Sequence, residues 1–120
     1  MANTFDVHVL TLPVVLTGAT EIPLAHFPYI AGGMTVLGAD FINAGTSVGA
    51  KLVTMTNAGT PAISGTIGSF AGTVTASAVV PAALTVSDGY VAAGEWIGFD
   101  QTSGTVPAGS FVSIAYLMGK

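Results

Sequence analysis

Turn chemistry recurs along this chain at short intervals and leaves little room for helices. Ala-Gly followed by an apolar run occurs at Ala31-Gly32-Gly33-Met34, Ala93-Gly94-Glu95-Trp96 and Ala108-Gly109-Ser110-Phe111. Asn-Ala-Gly-Thr occurs at 43–46 and again at 57–60, on either side of an alternating run that begins at Lys51. Asn and Gly accept positive φ at low cost, so each of these sites reads as a turn. Turns spaced about 8 to 15 residues apart are the rhythm of a sandwich or barrel. Signals for the 3.6-residue apolar period of an amphipathic helix are nearly absent. The expectation is an all-β fold: an antiparallel β-sandwich of roughly eight strands, jelly-roll-like in topology. It forms one domain over residues 1–120, with residues 1–12 able to serve as an extended arm.

The runs between the turns read as strands. In Phe5-Asp6-Val7-His8-Val9-Leu10-Thr11-Leu12, Phe5, Val7 and Val9 share one face while Asp6 and His8 take the other. That is the pattern of a half-buried strand, and Pro13 marks an edge or a bend. Met34 to Ile42 is a further strand, with a bulge expected at Gly38. Lys51 to Thr56 sets Leu52 and Thr54 against Val53 and Met55, and Glu95 to Gln101 and Ser110 to Met118 close the chain. The segment 65–80 is rich in Gly, Ala, Ser and Thr with few large anchors, so register there is weakly specified. Two readings stay open for it: an arm ordered by a neighbouring subunit, or an ordinary strand pair.

Charge sets the environment. The chain holds two Lys, no Arg and six acids, 7% charged against about 25% in typical soluble domains. Half the residues are hydrophobic (51%), and mean hydropathy is +0.76. Surfaces in water normally carry interspersed charge, so a surface this bare implies burial against other subunits. Phosphate neutralisation needs Lys and Arg, so nucleic acid is not an expected partner. The charge-free stretch between Lys51 and Asp88 is broken throughout by Gly, Ser, Thr and Pro, so no membrane span is expected. Cysteine is absent, and redox compartment cannot be inferred.

Candidate chemistry is sparse. Gly45-Thr46-Ser47-Val48-Gly49 matches the nucleophile-elbow pattern G-x-S-x-G. That chemistry requires a strand-to-helix turn followed by an acid and a histidine. His8 and His26 both precede Ser47, so Ser47 reads as part of a polar turn and no enzyme is expected. His8 and His26 with Asp6 or Glu21 do not reach the three or four convergent ligands of a zinc site. Neither a metal nor a cofactor is expected. Asp88, Glu95 and Asp100 read as solvated turn or rim positions. Trp96, Tyr90, Tyr29 and Tyr116 could build a sugar-binding platform. Trp96 and Phe99 nevertheless sit in a strand among aliphatic residues, which favours a core or subunit interface. The candidate interface residues are Phe5, Val7, Val9, Tyr90, Trp96 and Phe99.

Val91-Ala-Ala-Gly-Glu-Trp-Ile-Gly-Phe99 and Gly104-Thr-Val-Pro-Ala-Gly-Ser-Phe-Val-Ser-Ile-Ala-Tyr116 resemble the closing strands of small jelly-roll virion proteins of tailed bacteriophages. Ala31-Gly-Gly-Met-Thr-Val36 and Asn43-Ala-Gly-Thr46 are similar to their earlier strands. The resemblance implies a capsid decoration protein or a head or tail accessory subunit. Its partner would be the major capsid protein or another virion protein, and its site the virion, favouring the head surface after synthesis in the host cytoplasm. A homo-oligomer, with a trimer favoured, is implied as well. The competing expectations are a tail or fibre domain that binds a receptor or carbohydrate, and a tail or baseplate structural subunit.

Overall fold

A computed structural model of the chain describes residues 7–18, 20–27, 33–56, 62–85 and 89–118. Phe5, Tyr29, Asp88 and the second Asn-Ala-Gly-Thr lie outside the described residues. Every regular element among the described residues is a strand: β1 (His8–Pro13), β2 (Leu16–Thr17), β3 (Glu21–His26), β4 (Gly33–Ile42), β5 (Ser47–Val48), β6 (Lys51–Met55) and β7 (Ile63–Ser69). They continue with β8 (Thr73–Val74), β9 (Val79–Pro81), β10 (Ala83–Leu84), β11 (Tyr90–Ala92), β12 (Trp96–Asp100), β13 (Ser103–Val106) and β14 (Phe111–Met118).

All pairings are antiparallel. The first sheet runs β1-β14-β4-β11, with β9 also paired to β4, and the second runs β10-β7-β6-β12-β3. β9 and β11 flank the same strand, β9 at Asp40–Ile42 and β11 at Gly33–Thr35. Taken together as the sixth strand of an eight-strand count, they complete the order 1-8-3-6 in one sheet and 2-7-4-5 in the other. That is a jelly roll, two Greek keys folded face to face. The excess over eight is short pieces, chiefly the third sheet β2-β13-β5-β8, in which three of four strands have two residues. Segment 65–80 is strand rather than arm: it ends β7, supplies β8 and begins β9. Of the stretch 1–12, the part from His8 onward is built into the first sheet.

The core fills the space between the two long sheets. Phe41 from β4 meets Phe99 from β12 at a ring separation of 4.9 Å, and Phe70 closes the cluster at 5.3 Å from Phe41. Tilted aromatic pairs of this kind add about 0.5–1.5 kcal/mol beyond area burial. β6 is buried on both sides. Leu52 joins the main core, while Val53 and Met55 are equally buried on the opposite face. Met55 lies over Gly98 of β12, where an added Cβ would stand 2.6 Å from its sulfur. The Ala-Gly turns are explained by backbone geometry, since Gly94 and Gly109 both adopt positive φ (85° and 96°).

Candidate docking face

The outward side of the first sheet is organised in cross-strand rows. Pro13, Phe111, Ile42 and Val79 stand side by side on β1, β14, β4 and β9. Next comes Thr11, Ser113, Asp40 and Pro81, with Thr11 Oγ1 and Ser113 Oγ hydrogen-bonded at 2.9 Å. The third row is Val9, Ala115 and Gly38. Residues paired across a sheet share a face, so the first row is an apolar ridge open to the outside. Val79 is 61% exposed, Val9 69% and Phe111 39%. Asp40 is the one acid in these rows.

Among the described residues, β1 is an edge strand of this sheet, paired with β14 alone. Val14 N–H donates to Ser110 O at 3.0 Å, in line with the β1–β14 register. Hydrogen-bonded pairs alternate along an antiparallel ladder, so the even-numbered residues of β1 bond to β14. The backbone groups of Val9, Thr11 and Pro13 therefore point away from β14. Pro13, which has no N–H, costs the ladder nothing at that position. β1 carries no Lys, Asp or Glu to discourage a further strand. The edge strand of the second sheet, β3, carries Glu21 and, in mid-strand, Pro23.

The third row makes a depression. Gly38 faces Ala115 where the β4–β14 register shifts and Leu37 is the extra residue. Nothing lies within 4 Å of the position a Cβ on Gly38 would take. Val9, Asp40 and Ser113 complete the walls of an open hollow of about 320 Å³.

The outer side of the second sheet differs. Glu21, Asp100 and Lys51 line up across β3, β12 and β6. Burial, and then the neighbouring Glu21 carboxylate, raise the Asp100 pKa above its ordinary 3.8, against the pull of Lys51 and a backbone hydrogen bond from Gln101.

The expected interface residues separate. The half-buried reading of residues 5–12 is corrected at Val7 and Val9: both are exposed, and Leu10 and Leu12 on the other side of β1 turn inward. Phe99 is a correction: it is fully buried among core residues and offers no surface. Its alternation with Trp96 along β12 is what sends it inward. Tyr90 is on the first sheet and Trp96 on the second, where the Trp96 ring is 4.9 Å from that of His26. Tyr116 packs inward against Phe27 and stacks on His8. Among the described residues, Tyr90, Trp96 and Tyr116 do not share one face. Ser47 is buried in β5 rather than in an open turn, and donates to Gln101 Oε1 at 2.6 Å. Glu95 holds its own turn, accepting from Ala92 N–H at 2.9 Å and from Ser64 Oγ at 3.2 Å. The Pro13–Val79 ridge and the Gly38 hollow escaped the sequence reading. Val79 lies in the anchor-poor segment, and only cross-strand register brings it beside Phe111.

No family model and no curated protein matches the sequence. Among solved structures, a chain of the cyanophage Pam1 capsid asymmetric unit shares the fold, at a TM-score of 0.51 and 16% identity. The likeness covers 98% of this chain and 89% of that one, so the whole jelly roll is matched and not one sheet of it.

Proposed function

We propose that this chain is a non-catalytic structural protein of a tailed-phage virion. In this reading it is a capsid decoration protein that binds the outer surface of the major capsid protein and stabilises the head. The observation that carries the proposal is the exposed, nearly uncharged face made by Val9 and the Pro13–Phe111–Ile42–Val79 ridge. The shared fold with a chain of a phage capsid asymmetric unit supports it. Burying such a face releases about 25 cal/mol for each Å² of apolar area. Spread across a junction between capsomers, that energy resists their separation under the outward pressure of the packaged genome. The decorating unit is a homo-oligomer, with a trimer as the favoured state.

A receptor- or carbohydrate-binding role would need a shared aromatic groove, and Tyr90 and Trp96 belong to different sheets. The test is co-sedimentation of the purified protein with purified heads. Saturable, stoichiometric binding that raises the disruption temperature of the heads is expected. A protein that stays monomeric in the supernatant at micromolar concentration would overturn the proposal.

A further inference from the structure

We infer that the hollow over Gly38 is the anchoring pocket of this face and takes a Lys or Arg side chain from the partner protein. The inference rests on the decoration reading and adds to it the chemistry of the contact. The floor is made of small groups, Gly38 and Ala115, and one wall is the apolar side chain of Val9. Asp40 stands at the rim as the one carboxylate of the outward rows. A long basic side chain matches both features, its methylenes lying on the apolar floor and its charged head meeting Asp40. Charge complementarity points to the same occupant. The chain has net charge −4 and no Arg, and Lys51 is the one Lys among its described residues. Lys51 lies on the other sheet, so no cation in these rows answers Asp40. A partner's cation does. Interface energy concentrates in a few pockets that lose their water on binding, with Arg among the favoured anchors.

Gly38 allows a direct test. Its φ is not positive, and an added side chain meets nothing within 4 Å, so the position accepts a larger residue. Gly38→Leu fills the hollow, Gly38→Ala leaves most of it open, and Asp40→Asn removes the charge. Binding to purified heads lacking the protein is measured over a range of salt, beside thermal unfolding of each variant. Gly38→Leu is expected to unfold near the wild-type temperature and to bind heads at least about ten-fold more weakly. Gly38→Ala is expected to bind almost normally, and Asp40→Asn to bind more weakly with a flatter salt dependence. If wild type binds heads and folded Gly38→Leu binds equally well, the pocket is refuted and the decoration reading stands. Unchanged affinity and salt dependence in Asp40→Asn refute the cation. Wild type that ignores heads refutes both readings together.

Discussion

Ser47 Oγ donates a 2.6 Å hydrogen bond to Gln101 Oε1 in the interior. The Gln101 amide nitrogen in turn donates to the carbonyls of Gly18 and Gly104, at 2.5 and 3.1 Å. One side chain thus ties together the chain on both sides of the short third sheet. Ser47→Ala would leave Oε1 buried without its donor, at a cost of about 1–3 kcal/mol. Chemical denaturation should show that loss with an unchanged m-value, and head binding per folded molecule should not move.

Phe99 carries a larger share of stability. It packs against Phe41 across the sandwich and against Phe70, which follows β7 of its own sheet. Phe99→Ala opens a cavity where three rings meet and is expected to cost about 3–5 kcal/mol. The thermal midpoint should fall sharply, and a fall of only a degree or two would mean the ring cluster is not the centre of the core.

Val9→Lys tests the outward face without touching the core. Val9 is 69% exposed, so stability should change by less than about 0.5 kcal/mol. A charge there desolvates badly against a partner and blunts the edge of β1. Binding to heads should be lost while circular dichroism and melting remain as in wild type. Retained binding would place the contact elsewhere on the molecule.

Asp100 gives a pH dependence of defined sign. Burial and then Glu21 raise its pKa in the folded protein above 3.8. Over the pH range just above that value the folded state therefore holds more of this proton than the unfolded state. By linkage, this group's contribution to stability declines as pH rises through that window. Asp100→Asn should remove the decline and match or exceed wild type at neutral pH. Urea titrations across mildly acidic to neutral pH would show it, and a variant less stable at neutral pH would contradict the sign.

Much of the architecture could be read from local pattern. The strands expected at Met34–Ile42, Lys51–Thr56, Glu95–Gln101 and Ser110–Met118 appear as Gly33–Ile42, Lys51–Met55, Trp96–Asp100 and Phe111–Met118, within one residue at each end. The bulge expected at Gly38 lies beside it, at Leu37. These features follow from alternation and from glycine, which act over a few residues. The docking face was harder to see, because Val7 and Val9 alternate with Asp6 and His8 at the start of the run and with Leu10 and Leu12 at its end. Alternation alone does not say which set faces the core. The inward strand β14, through Val112 and Ile114 opposite Leu12 and Leu10, settles it. Of the core and interface roles open to Trp96 and Phe99, Phe99 takes the core: the two are three apart on a strand and so face opposite ways.

The edge position of β1 also bears on how such a protein is kept before use. With the donors and acceptors of Val9 and Thr11 bonded to no described strand, and no charged gatekeeper among the strand's residues, a concentrated stock has a template for edge-to-edge growth. Storage life of the isolated protein should shorten steeply with concentration, as light scattering over days would show.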